Sequence, residues 1–219
     1  MSALALFDLD GTLVNSIGEL AFAVNAALAE IKEAPFSTEE IRLLVGMGLK
    51  VLVERALSRR GSKAPAEEVI YRVRFYYARI LGQQSELYPG VKSGLRSLFQ
   101  EGIPLCVFTN KPGDFARDLL EKKGISRFFQ EVISADDIGA RKPSPQGVRM
   151  LRQRFFSPRK KTFFVGDSKI DILCAKRARV LSLAVLYGYG EKRSLLNARP
   201  DFIARDFSQA TDLVRKLVK

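Results

Sequence analysis

Short apolar runs that end abruptly in polar residues alternate with longer stretches of helical periodicity along most of this chain. The first run, residues 3–7, is bounded by polar turn residues, and we interpret it as a strand buried on both faces. Further runs predict strands at residues 103–109, 131–134, 162–165, 181–186 and 201–204. The spacing between them predicts helices that end near Gly124, begin near residues 145 and 168, and cover 207–218. This alternation favours a parallel sheet with covering helices.

Residues 16–86 interrupt the alternation, because they contain helical spacing and no convincing strand. Two Ser-x-x-Glu patterns, Ser16 with Glu19 and Ser37 with Glu40, are expected to be capping boxes that start helices. A glycine pair and a proline further along separate a third helix and a fourth.

We therefore expect an α/β fold with a helical segment inserted after the first strand. Residues 1–15 and 87–219 are expected to form the core domain, and residues 16–86 an α-helical cap over the carboxyl edge of the sheet. The short connections near residues 15 and 86 are placed to serve as hinges.

The charge of the chain narrows the classes of ligand. The formal net charge of +12 favours anionic ligands, and both phosphorylated metabolites and nucleic acids qualify. The densest basic cluster lies at residues 149–161, but no recognition motif or stacking aromatic pattern accompanies it. We interpret this cluster as solvated helix surface and expect no nucleic-acid partner.

Histidine is absent, which excludes a histidine triad, histidine-ligated zinc and phosphohistidine chemistry. The two cysteines, Cys106 and Cys174, lie in apolar segments without metal-ligand spacing, and we expect both in the core. A reducing cytoplasm fits this pattern, and no signal peptide or membrane-spanning stretch is indicated. We therefore expect a soluble cytoplasmic protein without a membrane partner.

The first strand ends in two aspartates one residue apart, Asp8 and Asp10. Two adjacent carboxylates repel each other unless they share a cation or a proton. Asp8 can act as a nucleophile while Asp10 serves as acid and then base. Gly11 lets the backbone approach a ligand, and Thr12 adds a hydroxyl donor. The alternative is that both aspartates only end a strand and cap a turn.

Three later segments also carry candidate site residues, two of them just after apolar runs and one ahead of two prolines before a helix. Thr109 and the backbone N–H of Asn110 are positioned to hold phosphate oxygens, unless they form an ordinary strand exit. Lys142 is held in extended geometry by the following proline, and the alternative is a solvated loop lysine. Asp167 and Asp171 offer hard oxygen ligands that suit Mg²⁺, although Asp171 alone is also typical of a helix start.

Together these motifs resemble those of the haloacid dehalogenase superfamily of phosphatases. The resemblance is carried by Asp8-Leu9-Asp10-Gly11-Thr12, Thr109-Asn110, Lys142-Pro143 and Gly166-Asp167-Ser168 with Asp171. Tyr88-Pro89-Gly90-Val91 and Tyr187-Gly188-Tyr189-Gly190 are similar to the phosphoglycolate phosphatase branch. The resemblance implies a Rossmann-like core with the motif strands adjacent and the first strand in the middle.

The resemblance also implies a role for each motif. Asp8 would attack phosphorus to give an aspartyl phosphate, and Asp10 would protonate the leaving oxygen and then activate water. Thr109 and Lys142 would bind the phosphoryl group. Mg²⁺ would be held by Asp8, the backbone carbonyl of Asp10 and Asp167, with Asp171 supporting its waters.

Three positions depart from the family pattern without removing a catalytic group. Asn15 stands where the family often has aspartate, and it keeps a hydrogen-bonding side chain at the expected hinge. Arg179 replaces a usual glycine and Cys174 a usual alanine. The absence of histidine argues against the sugar-phosphate mutases of this superfamily.

We expect a Mg²⁺-dependent phosphomonoesterase for a small metabolite, with 2-phosphoglycolate as the leading candidate and a monomer or homodimer as the assembly. A sugar phosphate, nucleotide or pyrophosphate is the alternative substrate, and a silent regulator or polyanion-binding protein is the alternative class. Gly46-Met47-Gly48 and Lys50 are candidates to face the substrate. Lys50, Arg55, Arg59 and Arg60 equally fit a solvated surface.

Overall fold

In the computed structural model, which describes residues 3–218, six parallel strands form the main sheet. These strands are β1 (Leu4–Phe7), β4 (Leu105–Thr109), β5 (Glu131–Ser134), β6 (Thr162–Gly166), β7 (Leu181–Val185) and β8 (Phe202–Ala204). Their order across the sheet is β5-β4-β1-β6-β7-β8. Two short strands, β2 (Val14–Asn15) and β3 (Glu86–Leu87), lie outside this sheet. The strands predicted from the apolar runs are confirmed, and β1 lies in the middle of the sheet.

Strand β1 is buried on both faces, as its uninterrupted apolar run predicts. Ala5 and Phe7 pack into the hydrophobic cluster on one side of the sheet, and Leu4 and Leu6 pack into the cluster on the other side. Cys106 also lies in this second cluster and is fully buried. Because strands β4 and β6 flank β1, the groups that follow these three strands meet at one edge of the sheet.

Helices cover both sides of the sheet. They are α5 (Val91–Gln100), α6 (Gly113–Lys122), α7 (Ala135–Ile138), α8 (Gln146–Arg154), α9 (Lys169–Ala178), α10 (Lys192–Asn197) and α11 (Phe207–Val218). Helix α5 was not among the predicted helices, although the spacing of its buried residues Val91, Leu95 and Leu98 is helical. Over residues 3–218, every helix is too short or too polar to traverse a bilayer.

Four helices lie between β2 and β3, and we call residues 16–86 the helical insertion. They are α1 (Ile17–Glu30), α2 (Thr38–Arg42), α3 (Leu49–Arg60) and α4 (Ala66–Ile80). Strands β2 and β3 pair antiparallel at its base, with Val14 opposite Leu87 and Asn15 opposite Glu86. Two-residue strands are too short to show a periodicity, so the sequence pattern did not indicate this ladder.

Of the two predicted capping boxes, one is confirmed and one is wrong. Ser37 Oγ accepts from the backbone N–H of Glu40, and the Glu40 carboxylate accepts from the N–H of Ser37. Ser16 makes no such contact, because its Oγ instead donates to Asp10 Oδ1 at 2.5 Å. The Ser16 hydroxyl therefore joins the start of α1 to the strand-end acid.

Glu19, the other half of the predicted box at Ser16, is a buried acid with distant partners. Glu19 is only 1% exposed to solvent. Its carboxylate accepts from the backbone N–H groups of Gly82, Gln84 and Ser85 at 2.7 to 3.0 Å. Glu19 thus ties α1 to the segment through which the chain leaves the helical insertion.

Candidate active site

Three charged side chains from separate segments, Asp8, Lys142 and Asp171, meet at the carboxyl edge of the sheet. Nζ of Lys142 donates to Asp171 Oδ1 at 2.7 Å and lies 2.6 Å from Asp8 Oδ1. The contact with Asp8 is ionic, because Asp8 Oδ1 is buried and accepts no aligned hydrogen bond from the described residues. Lys142 is 2% exposed, so the alternative of a solvated loop lysine is wrong.

Asp8, Asp167 and Asp171 form a buried acidic cluster. Each offers a carboxylate oxygen, and these oxygens all lie within 4.8 Å of one another. Burial, together with the neighbouring acids, raises the pKa of Asp8 to about 7 and that of Asp167 to about 6. Three hard oxygen ligands, one of them a buried atom without a hydrogen-bond donor, fit a divalent cation such as Mg²⁺.

Lys142 supplies the permanent positive charge of the cluster. Burial alone would lower the pKa of its ammonium group, but the carboxylates of Asp171 and Asp8 raise that pKa above its ordinary value. Asp171 is itself oriented by Ser168, whose backbone N–H and hydroxyl both donate to Asp171 Oδ2. The lysine therefore stays charged between a candidate nucleophile and a fixed acid.

Asp167 is held by groups from two separate loops. Thr12 Oγ1 donates to its Oδ1 at 3.2 Å, and the N–H groups of Tyr189 and Gly190 donate to its Oδ2 at 2.6 and 3.0 Å. Gly11 has a φ of +84°, and a Cβ there would lie 2.4 Å from Asp167 Oδ2. Gly11 and Gly190 both belong to motifs found in the sequence. Nothing in the sequence indicated that the loop at residues 186–191, which we call the Tyr189 loop, binds Asp167.

Asn110 contributes to the site by holding the backbone in place. Its Nδ2 donates to the carbonyls of Gly46 and Lys142 at 2.8 and 3.1 Å, and its Oδ1 accepts from the N–H of Lys142 at 2.7 Å. The amide is thus committed to the lysine loop and to the helical insertion. Thr109 is buried beside it, and its Oγ1 accepts from the N–H of Lys111.

Asp10 is not one of the three clustered acids, and its carboxylate contacts Lys111, a residue for which the sequence predicted no role. Nζ of Lys111 lies 3.0 and 3.2 Å from the two carboxylate oxygens of Asp10 and donates to Tyr77 Oη at 2.6 Å. Burial would lower the pKa of Lys111, but Asp10 and Tyr77 raise it above its ordinary value. Its position directly after a strand-end Thr-Asn pair was the only available signal in the sequence.

A cavity of about 50 Å³ opens between the sheet edge and the helical insertion. Its polar lining comes from Asp8, Asp10, Tyr77, Thr109, Asn110 and Lys111. The insertion also contributes apolar walls, among them Leu49 and Leu52, together with the backbone at Gly46 and Gly48. The glycine pair thus faces the cavity that contains both strand-end acids.

Lys50 lies beside a different, larger cavity of about 340 Å³, which Met47 and Arg141 also line. Its side chain is 60% exposed, and its ammonium lies 3.9 Å from Glu54 and from Glu67. These contacts favour the solvated-surface interpretation of Lys50. Of the other basic residues of the insertion, Arg55 and Arg60 donate to backbone carbonyls within it, and Arg59 is exposed.

The helical insertion is also fastened to the Tyr189 loop. Arg42 donates to the carbonyls of Gly188 and Tyr189 at 2.7 and 3.1 Å. Tyr189 Oη accepts from the N–H of Ser16 at 2.6 Å and lies 3.2 Å from Asn15 Oδ1. The expectation that Asn15 keeps a hydrogen-bonding side chain at this position is confirmed.

Comparisons with known proteins identify the family of this chain. The family model described as haloacid dehalogenase-like hydrolase matches residues 5–185. The phosphoglycolate phosphatases of Vibrio cholerae and Haemophilus influenzae (strain 86-028NP) are 37% and 40% identical to this chain. The alignments cover 96% of both chains for the first, and 93% of this chain and 94% of the relative for the second.

A solved structure gives the same result for the fold. The crystal structure of a predicted phosphoglycolate phosphatase from Haemophilus somnus 129pt superimposes with a TM-score of 0.90 and 31% sequence identity, covering 97% of both chains. The family model spans well over half of the sequence, and the curated relatives span nearly all of it. The chain therefore belongs to the haloacid dehalogenase-like hydrolase family.

Proposed function

We propose that this protein is a Mg²⁺-dependent phosphatase that hydrolyses 2-phosphoglycolate through an aspartyl-phosphate intermediate. The observation that carries the proposal is the buried ammonium of Lys142, 2.6 Å from Asp8 Oδ1, beside three clustered carboxylates. A nucleophile next to a fixed cation and a set of hard oxygen ligands suits an anionic substrate. The relatives named phosphoglycolate phosphatase support the choice of substrate.

The residues divide the reaction into two displacements. In the first, an oxygen of Asp8 bonds to phosphorus, the ester P–O bond breaks, and Asp10 donates a proton to the leaving oxygen. In the second, Asp10 takes a proton from water, whose oxygen bonds to phosphorus and releases inorganic phosphate from Asp8. Lys142, Thr109 and the backbone N–H of Asn110 stabilise the phosphoryl oxygens. Gly11, whose N–H donates to the carbonyl of Val14, contributes by letting the backbone approach them.

The acidic cluster is the proposed metal site. Asp8, Asp167 and the backbone carbonyl of Asp10 would hold Mg²⁺, and Asp171 would support its water ligands. The bound ion supplies charge neutralisation for the phosphoryl group. The hydrogen bonds from Thr12, Tyr189 and Gly190 keep the Asp167 carboxylate oriented for this task.

The helical insertion is the proposed cap, with its boundaries at residues 16 and 86. The β2-β3 ladder and the adjoining connections would act as hinges at its base. Its contacts with the core, from Arg42 to the Tyr189 loop and from Gly46 to Asn110, would break when it opens. Opening admits substrate, and closing excludes water from the reacting groups.

Nucleic-acid binding receives less support from the structure. In the basic cluster at 149–161, Arg154 pairs with Glu131, and Arg149 donates to the carbonyl of Arg177. Several of these cations thus bind the protein's own surface. We propose a small anionic metabolite as the partner, the cytoplasm as the location, and a monomer or homodimer as the assembly.

The test is phosphate release from a panel of 2-phosphoglycolate, sugar phosphates, nucleotides and pyrophosphate, with Mg²⁺ and with EDTA. We expect metal-dependent turnover with preference for 2-phosphoglycolate, and loss of turnover in Asp8→Asn. Asp118→Asn is the matched control, because Asp118 is an exposed acid whose ion pair among residues 3–218 is with Lys122 on the same helix. Preference for another compound overturns the assignment of 2-phosphoglycolate as the substrate. Absence of turnover by folded protein overturns the phosphatase assignment.

A further inference from the structure

We propose that Lys111, oriented by Tyr77, binds a carboxylate on the leaving group of the substrate and so selects phosphate esters of short hydroxy acids. This inference rests on the proposed function, because it uses the role of Asp10 as the acid for the leaving oxygen. It assigns a second anion-binding position, separate from the Lys142 position that serves the phosphoryl group.

The contact between Lys111 and Asp10 indicates which part of the substrate Lys111 would face. An acid that protonates the leaving oxygen must lie within hydrogen-bond reach of it, so the group attached to that oxygen also lies next to Asp10. Nζ of Lys111 is 3.0 and 3.2 Å from the two oxygens of Asp10. A substituent on the carbon next to the leaving oxygen is therefore within reach of this ammonium.

Lys111 is the one cation among the described residues that line this cavity. Its side chain is 4% exposed, so bulk water does little to screen its charge. Leu49, Leu52 and Phe115 line the same cavity and offer no polar group to a ligand, and its other polar side chains are the two strand-end acids, Tyr77, Thr109 and Asn110. An anionic group beside Lys111 makes a charge-assisted contact with the ammonium, whereas a neutral polar group makes a weaker one.

Tyr77 fixes the direction of the ammonium from the helical insertion. Its hydroxyl accepts from Lys111 Nζ at 2.6 Å, and its ring packs edge-on against Phe115 with centroids 5.1 Å apart. Tyr77 lies on α4 and Lys111 follows β4, so the position requires both parts of the chain.

The test compares 2-phosphoglycolate with 2-hydroxyethyl phosphate, in which a CH₂OH group replaces the carboxylate. We expect the wild type to prefer 2-phosphoglycolate by on the order of 100-fold in kcat/KM, since a buried charge pair is lost with the neutral ester. In Lys111→Met both rates fall through the contact with Asp10, but the preference is expected to disappear. A residue that only positions Asp10 would lower both values in proportion and leave the ratio unchanged.

Tyr77→Phe provides a second variant that keeps both charges and the ring. Loss of one hydrogen bond to a charged group is expected to reduce the preference about tenfold, and this variant decides the question if Lys111→Met does not fold. An unchanged ratio in either folded variant, or no preference in the wild type, overturns the inference. Failure of the wild type to hydrolyse either ester instead overturns the proposed function on which the inference rests.

Discussion

Nζ of Lys142 lies 2.6 Å from Oδ1 of Asp8, and neither group has appreciable contact with solvent. A buried ammonium of this kind is tolerated because Asp171 accepts a hydrogen bond from it on the other side. The same contact brings the positive charge to the place where the phosphoryl oxygens would develop charge. We therefore expect Lys142 to contribute both to the stability of the loop and to catalysis.

Replacing Lys142 by methionine is expected to affect both properties. The change keeps the length of the side chain but leaves Asp8 and Asp171 without their buried cation. We expect kcat to fall by on the order of 1,000-fold and the free energy of unfolding in EDTA to fall by about 3 kcal/mol. Phosphate release and urea denaturation measure the two effects. Lys192→Met, at an exposed position, is the control, and a variant with near wild-type turnover would contradict the assignment.

Stabilisation by Mg²⁺ is expected to increase with pH. The pKa values of Asp8 and Asp167 are raised in the folded protein, to about 7 and about 6, from an ordinary value of 3.8. The metal-free folded state therefore binds more protons than the unfolded state between about pH 4 and pH 7, and these groups lower its stability as pH rises through that window. Because the ion binds the ionised carboxylates, added Mg²⁺ should raise Tm more at pH 8 than at pH 5.

Thermal unfolding with Mg²⁺ and with EDTA at the two pH values measures this difference. Asp167→Asn should remove most of the gain in Tm, whereas the exposed control Asp118→Asn should keep it. An equal gain at pH 5 and pH 8 would mean that the ion binds elsewhere, since no protons would then be displaced from the acidic cluster.

The sequence predicted those parts of the site that lie directly after an apolar run. Asp8 and Asp167 directly follow strands that could be located from periodicity alone, and parallel strands bring such groups to one edge. Lys142 lies in the loop between α7 and α8, and the proline after it was the signal that singled it out. Partners from distant segments were missed, because no local pattern records them. Glu19 fitted a capping box perfectly well in the sequence, yet its carboxylate binds backbone more than 60 residues away.

Lys111 and Tyr77 were missed for the same reason. They are 34 residues apart in the chain, and they meet only because α4 of the helical insertion lies over the end of β4. Helical spacing marks Tyr77 simply as a buried residue of an amphipathic helix. Its hydroxyl acquires a specific role from a neighbour that the periodicity of α4 does not reveal.

Arg179 stands where the family usually has glycine, and the structure gives a physical reason for that preference. It ends helix α9 in the left-handed conformation, with a φ of +59°, and its side chain is exposed. A side chain with a Cβ is disfavoured there by about 1 kcal/mol. Arg179→Gly should therefore raise the free energy of unfolding by up to about 1 kcal/mol, as measured by urea denaturation. Lys176→Gly, an exposed position inside α9, should have the opposite sign, and destabilisation by both changes would contradict the explanation.

Glu19→Gln tests whether the carboxylate of Glu19 fixes residues 82–85, where the chain leaves the helical insertion. The alternative is that a side chain of the same size is sufficient. The amide preserves the volume but turns one acceptor into a donor that faces backbone N–H groups from Gly82 to Ser85. We expect the free energy of unfolding to fall by about 2 kcal/mol, because a buried N–H loses its acceptor. Amide hydrogen exchange should also accelerate at residues 82–85 before it does in β1. Glu68→Gln, at an exposed position on α4, should change neither quantity. Unaltered protection at 82–85 in Glu19→Gln would show that the backbone of this segment is held by its other contacts, chiefly those from Lys123.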